Sequence, residues 1–91
     1  MITTVDEMKD YLRVGFADDD ALLETLILSA TRLCMDIART DDEDDFAKRE
    51  NSKIAVMYAV AYLYEHREEA DHHALVLTLR ALLFGSREGV F

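Results

Sequence analysis

The side chains with the greatest capacity for chemistry lie in one short stretch, residues 62–74, which reads YLYEHREEADHHA. Carboxylates and imidazoles can bind metal ions or transfer protons. The stretch contains Glu65, His66, Glu68, Glu69, Asp71, His72 and His73. These residue types are common in active sites, and their spacing decides whether they could form one here.

That spacing does not favour a metal centre. Adjacent histidines such as His72 and His73 diverge by about 100° on a helix, whereas paired helical ligands are four residues apart. A Glu-x-x-His pair in a helical bundle needs a second pair on a facing helix, and Glu69 with His72 is the single candidate. We therefore expect a helix end, a polar turn and the next helix start, with no metal site. A metal-dependent enzyme using Glu69 and His72 is the least favoured alternative.

No other pattern in the chain indicates catalysis. The only cysteine, Cys34, lies within an apolar stripe and is interpreted as a small buried hydrophobe. A calcium loop starting at Asp41 would need glycine at its sixth position and glutamate at its twelfth, where the chain has Phe46 and Ser52. Glycine-rich phosphate loops and nucleophile elbows are missing from the sequence. We therefore predict a protein without catalytic residues or cofactors.

Chain length and net charge further restrict the class of protein. The 91 residues predict one domain, 1–91, with a short tail at 84–91. Nineteen acidic against ten basic residues give a formal charge of −9, which disfavours binding to DNA phosphates or to anionic membranes. The longest apolar run, 54–64, is shorter than the roughly 20 residues of a membrane span. The N-terminus lacks a signal-peptide pattern, so we expect the cytosol as the compartment.

Apolar periodicity predicts an all-α fold, with three to four main helices around a long central apolar helix. The first helix begins with the capping-box sequence Thr4–Glu7 and ends near Gly15. The other predicted helices span about 18–38, 45–69 and 72–84. Asp71 is expected to cap the last of them.

Two features predict an interacting surface. The central helix is apolar on every side between Ile54 and Tyr64, and a neighbouring subunit is a natural source of the missing cover. On the second helix, Leu28 and Met35 fall opposite the main apolar stripe, which makes a small second apolar face. The candidate interface for self-association or a partner comprises Leu28, Arg32, Met35, Arg39, Arg87, Val90 and Phe91.

Several sequence patterns occur in an order that matches a known protein family. An opening I-T-x-x-E-x-K-x-Y-L-R pattern appears, with a small variation in spacing, as Ile2, Thr3, Glu7, Lys9, Tyr11, Leu12 and Arg13. An A-L-L-x-x-L-I-x-x-A helix follows at 21–30, then Y-E-x-R-E at 64–68, and L-R-A-L-L-x-x-x-R ending at Arg87. In this order the patterns resemble the small head–tail connector (adaptor, or DNA-packaging) proteins of long-tailed bacteriophages.

The resemblance implies a structural virion protein at the head–tail junction, present in the host cytoplasm during assembly. Members form a ring, dodecameric in the virion, beneath the portal protein. The ring extends the DNA channel, through which DNA passes without specific binding, and offers a platform for the next stopper or tail protein. The alternative is a small acidic regulatory protein, of the antitoxin or DNA-mimic type, that masks a basic partner through Asp41–Asp45.

Overall fold

A computed structural model of the protein describes residues 2–13, 19–49, 51–66 and 71–84. Helices dominate these segments, and none of the described residues forms a strand. The helices are α1 (Val5–Leu12), α2 (Asp20–Ala38), α3 (Glu43–Ala47), α4 (Ser52–Glu65) and α5 (His72–Phe84). The predicted all-α bundle is confirmed.

The first helix starts as the sequence predicts and ends earlier. Glu7 N donates to Thr4 Oγ1 at 3.1 Å, and Thr4 N donates to Glu7 Oε1 at 3.0 Å, which completes the capping box. The last helical residue is Leu12, and Arg13 caps the helix with a left-handed backbone at φ 60°. Gly15, the predicted terminator, lies outside the described residues. An ion pair of 2.9 Å between Lys9 and Asp20 joins α1 to α2.

The long third helix that we expected over 45–69 is two helices, α3 and α4. The Asp42 carboxylate caps α3 by accepting from the amides of Asp44 at 3.0 Å and Asp45 at 3.2 Å. In the break that follows, Ser52 Oγ donates to the Arg49 carbonyl at 3.0 Å. Asn51 Nδ2 donates to the carbonyl of Leu82 in α5 at 2.9 Å. Polar side chains therefore satisfy the backbone at this break, where the sequence has neither proline nor glycine.

The core lies mainly between α2 and α4, which share the most extensive helix–helix contact among the described elements. Its most deeply buried apolar side chains, at most 1% exposed, are Met8, Leu23, Ile27, Ala30, Cys34, Phe46, Ala55, Val56, Ala59, Val60, Leu75 and Leu79. Each of the five helices contributes at least one of them. The core therefore ties all the described helices into one packed unit.

Tyrosine hydroxyls connect the ends of the helices. The Tyr62 hydroxyl accepts from the Asp71 amide at 3.0 Å, and the Asp71 carboxylate accepts from the Ala74 amide at 3.1 Å. The Tyr64 hydroxyl donates to Asp19 Oδ2 at 2.5 Å. The predicted cap at Asp71 is confirmed, and these two rings lie at the boundary between core and solvent. No described helix is both long enough and apolar enough to span a membrane.

Candidate interaction surfaces

One side of α4 stays open to solvent although it is apolar. Residues four and three positions apart share a helix face, and Ile54, Tyr58, Ala61 and Tyr62 lie along one side of α4, where Tyr58 and Tyr62 pack against the edge of the core. We call these four residues the α4 outer face. Ile54 is 57% exposed, and the other three are half-buried. Tyr58, Ala61 and Tyr62 also line an open groove of about 490 Å³ that includes Tyr11 of α1.

The groove has an aromatic floor and a charged rim. Tyr11 is 53% exposed, and Arg13 and Glu65 line the same groove. The His66 ring stacks on Tyr62 with ring centroids 4.3 Å apart, and His66 Nδ1 lies 3.0 Å from the Tyr62 carbonyl oxygen. Aromatic side chains surrounded by polar groups are typical of protein–protein interfaces. His66 thus has a packing role in this groove.

A second cavity, of about 230 Å³, lies on the outer side of α2. Its lining consists of Leu28, Thr31, Arg32, Met35, Asp41 and Glu43. We call it the outer α2 cavity. Leu28 is 58% exposed, as the sequence predicts, whereas Met35 is only 5% exposed. The expectation that Met35 lies on an exposed face is therefore wrong.

The path of the chain after α2 accounts for the burial of Met35. Arg39 caps α2 with φ 60°, and this left-handed residue reverses the chain direction. The reversal brings Asp41 back to Arg32, with 3.3 Å between Asp41 Oδ1 and an Arg32 guanidinium nitrogen. The segment after α2 therefore runs back over Met35.

The lining of the outer α2 cavity also includes a buried polar residue. Thr31 is 7% exposed, and its buried hydroxyl oxygen has no hydrogen-bond partner among the described residues. A buried polar group in this state lowers stability by about 1–3 kcal/mol relative to one that is hydrogen-bonded.

A third surface, which we call the arginine groove, lies where the C-terminal end of α2 meets α5. It is a groove of about 660 Å³ lined by Asp36, Ile37, Ala38, Arg39, Arg49, Val76, Arg80 and Phe84. Arg49 pairs with Asp45 at 3.4 Å and donates to the Ala38 carbonyl at 3.4 Å. Within the described segments, Arg39 and Arg80 form no ion pair. Two exposed cations, without an ion pair among the described residues, therefore border an apolar floor in a strongly acidic chain.

The acidic segment Asp41–Asp45 is largely engaged within the protein. Asp41 pairs with Arg32, Asp42 caps α3, and Asp45 pairs with Arg49. The absence of an EF-hand pattern in the sequence agrees with this use as a capped loop. These contacts leave fewer free carboxylates for masking a basic partner, which weakens the acidic regulatory alternative.

The acidic and histidine residues of the stretch 62–74 do not form a reactive centre in the described structure. His72 and His73 are exposed in the first turn of α5, and Glu69 lies outside the described residues. Among the described residues, no group of three or more His, Cys, Asp or Glu side chains could hold a metal ion. Burial raises the pKa of the Cys34 thiol to about 12, so this thiol is protonated at neutral pH. Cys34 is a buried core residue, as predicted.

The structure divides the interface residues that the sequence predicts among different surfaces. Leu28, Arg32 and Met35 line one cavity, whereas Arg39 lines the arginine groove. The predicted residues Arg87, Val90 and Phe91 lie outside the described residues. Tyr11 and Arg80 belong to sequence patterns noted above, but sequence reasoning did not predict them as surface-binding residues. The spacing of positions 54, 58 and 61 could have identified the α4 outer face, since it repeats every three to four residues.

Apolar grooves with charged rims on an all-helical surface are typical of proteins that assemble with partners. A family model for the phage gp6-like head-tail connector protein matches residues 2–83, and the chain belongs to this family. Comparisons with curated proteins and with solved structures give no match. The family is structural rather than enzymatic, and its members are virion components that interact with other phage head and tail proteins.

Proposed function

We propose that this connector domain assembles into a closed ring, dodecameric in the virion, beneath the portal protein. The ring extends the DNA channel and provides a platform for the next stopper or tail protein. The observation that carries this proposal is the α4 outer face. Ile54 is 57% exposed beside half-buried Tyr58 and Ala61 in a helix that is apolar all round.

The energetics of burial favour a second subunit as the cover of this face. Complete burial of one isoleucine or aromatic side chain contributes about 1.5–3 kcal/mol. Ile54 and Tyr11 are both more than half exposed, and Tyr58 is half-buried. Burial of these three side chains by a neighbouring subunit would therefore contribute favourable free energy to the interface. In a ring each subunit presents one patch to the neighbour on one side and a different patch to the other, so a single junction repeats around the circle.

The charge of the chain suits a conduit for DNA. A formal charge of −9 gives passing phosphates few places to bind, because like charges repel. We infer that DNA moves through the ring without sequence-specific contacts.

The outer α2 cavity supports a contact with a different protein. Leu28 offers an exposed apolar anchor, and Arg32 a cation at the rim. We assign this cavity to the contact with the portal or with the next head–tail protein. The ring junction then uses a different surface, the α4 outer face.

Light scattering across a concentration series, alone and with purified portal rings, tests this function. We expect concentration-dependent assembly, or assembly when portal rings are added. Electron microscopy should then show closed rings. A protein that stays monomeric at every concentration and does not bind portal rings would contradict the proposal. Monomers that instead bind a basic protein through Asp41–Asp45 would support the regulatory alternative.

A matched pair of variants tests the role of the α4 outer face. Ile54→Asp places a charge in the proposed junction and should abolish assembly while the subunit stays helical. Ala21→Asp adds the same charge at an exposed position in the first turn of α2 and should assemble as the wild type does. Equal assembly of both variants would remove the α4 outer face from the junction.

A further inference from the structure

The two arginines of the arginine groove, exposed and without an ion pair among the described residues, favour an acidic occupant. Arg39 and Arg80 come from α2 and α5, and among the described residues neither forms an ion pair. The charged groups that share the groove, Asp36 and Arg49, are engaged with Arg32 at 3.1 Å and with Asp45 at 3.4 Å. Between these charges the floor is apolar. The occupant should therefore carry two carboxylates and an apolar or aromatic side chain.

The helix α1 of this same chain has that chemistry. Asp6 and Asp10 are exposed and lie four residues apart, on one face of the helix. Neither forms an ion pair among the described residues. Tyr11 follows directly and is 53% exposed. The remaining acidic residue of α1, Glu7, is occupied by its capping box and by Lys53.

We propose that the arginine groove of one copy binds α1 of the next copy in the assembly. Asp6 and Asp10 of the bound helix pair with Arg39 and Arg80, and the ring of Tyr11 packs on the apolar floor. This assignment rests on the proposed ring, and it names the two patches that meet at each junction.

The position of the two patches supports a head-to-tail junction. The arginine groove contains the C-terminal end of α2, whereas α1 is joined to the N-terminal end of α2 through the Lys9–Asp20 pair. The two ends of a 19-residue helix are about 28 Å apart, since each residue adds about 1.5 Å. One subunit therefore carries complementary patches at separate places, which is the requirement for a heterologous interface that repeats.

The same junction explains how an acidic protein can associate with itself. Copies with a charge of −9 repel one another at a distance. Opposite charges placed in register overcome that repulsion locally and fix the orientation of the partner. Tyr11 also lines the groove at the α4 outer face, so a neighbour that holds α1 is positioned to cover that face as well.

Charge reversal provides the test, using two double variants of the full chain. Asp6→Lys/Asp10→Lys places cations opposite the arginine groove, and Arg39→Glu/Arg80→Glu places anions opposite α1. Each variant alone should assemble with an apparent dissociation constant raised at least about tenfold, because like charges then meet at every junction. An equimolar mixture should assemble in alternation, because every junction then joins opposite charges.

Charge-preserving variants serve as controls. Asp6→Glu/Asp10→Glu and Arg39→Lys/Arg80→Lys should assemble close to the wild type. Circular dichroism should show that all four double variants are folded. If a reversal variant unfolds, the neutral pairs Asp6→Asn/Asp10→Asn and Arg39→Gln/Arg80→Gln replace it and should each weaken assembly.

The outcomes separate this junction from the ring itself. Wild-type protein that never associates, alone or with portal rings, overturns both proposals. Wild-type rings together with unimpaired assembly of each reversal variant overturn only the junction. So does a mixture that fails to assemble. If Arg39→Glu/Arg80→Glu assembles normally and loses only portal binding, the groove holds an acidic segment of the portal, and the second copy is excluded as its occupant.

Discussion

The two sides of α4 are both apolar, but they differ in solvent exposure. On the side towards α2, Ala55, Val56, Ala59 and Val60 are fully buried. On the α4 outer face, Ile54 is 57% exposed and its helical neighbours are half-buried. Hydrophobicity therefore shows how much of this helix needs cover, and only the packing shows which part the subunit itself supplies.

Side-chain size and chemistry distinguish the two sides. Small Ala and Val side chains face the core, and small contact residues allow a short distance between helix axes. The α4 outer face carries Tyr58 and Tyr62, whose rings are apolar and whose hydroxyls tolerate water. A tyrosine-rich face is stable in contact with solvent before assembly and with protein after it.

The largest expected effect contrasts Ile27→Ala with Ile54→Ala, the same substitution on opposite sides of the core boundary. Ile27 is fully buried, so its truncation should lower the free energy of unfolding by about 2–5 kcal/mol. Ile54→Ala should change it by less than about 0.5 kcal/mol, as surface substitutions do, and should weaken self-association. Urea unfolding and light scattering measure the two quantities. Comparable losses of monomer stability in both variants would contradict the conclusion that Ile54 lies outside the core.

A second contrast concerns Met35 and Leu28 in the outer α2 cavity. Met35→Asp buries a charge without a compensating partner and should destabilise the monomer by about 2–4 kcal/mol. Leu28→Asp should leave the monomer folded and weaken binding to the portal or the next protein. Thermal unfolding of each variant and pull-down with portal rings are the measurements. A fully stable Met35→Asp variant would show that the segment after α2 does not cover this residue.

A third, smaller contrast lies within the α4 outer face. Tyr62 uses its hydroxyl to hold the Asp71 amide at 3.0 Å, whereas no hydrogen bond of the Tyr58 hydroxyl is found among the described residues. Tyr62→Phe should lower the free energy of unfolding by about 1 kcal/mol, and Tyr58→Phe should leave it unchanged. Urea denaturation of the two variants side by side tests this. Equal effects would mean that the Tyr62 hydroxyl does not anchor the start of α5.

The smallest expected effect is a pH dependence at the start of α1. Hydrogen bonds from Lys53, Thr3 and Thr4 hold the pKa of Glu7 below its ordinary value of 4.5. The folded state therefore favours the ionised carboxylate. Its contribution to stability is complete above the unfolded pKa and is lost as the pH falls through the lower, folded pKa.

The corresponding measurement compares wild type with Glu7→Gln. The thermal midpoint of the wild type should be the higher one at pH 7, and the difference should shrink as the pH is lowered below 4.5. Lys53→Gln, which removes the main cause of the shift, should make the same difference smaller at pH 7. A wild-type advantage that persists undiminished at the lowest pH would exclude this origin.

Local signals made most of the fold predictable. The capping box at Thr4–Glu7, the cap at Asp71 and the end of α2 at Ala38 all depend on residues within a few positions of one another. The break between α3 and α4 combines a local bond, from Ser52 Oγ to the Arg49 carbonyl, with a distant one, from Asn51 Nδ2 to the Leu82 carbonyl, 31 residues away. Apolar periodicity reveals neither bond, so the expectation joined two helices that the structure separates.

Some features of the candidate surfaces follow from the local sequence, and others depend on contacts between distant parts of the chain. The exposure of Leu28 follows from its place on the helical wheel. The burial of Met35 depends on the left-handed turn at Arg39, and the arginine groove requires α2 and α5 to meet. Neither the turn nor that meeting is encoded by spacing within one helix, so Arg80 could not be recognised from the sequence as part of a surface.

The left-handed backbone of Arg39 has a further consequence. An L-residue other than glycine incurs about 1–2 kcal/mol in this conformation, and Arg39 adopts it at φ 60°. Arg39→Gly would relieve that backbone strain and remove a guanidinium from the arginine groove. In the proposed junction, the free subunit and the assembled particle would therefore favour different residues at position 39.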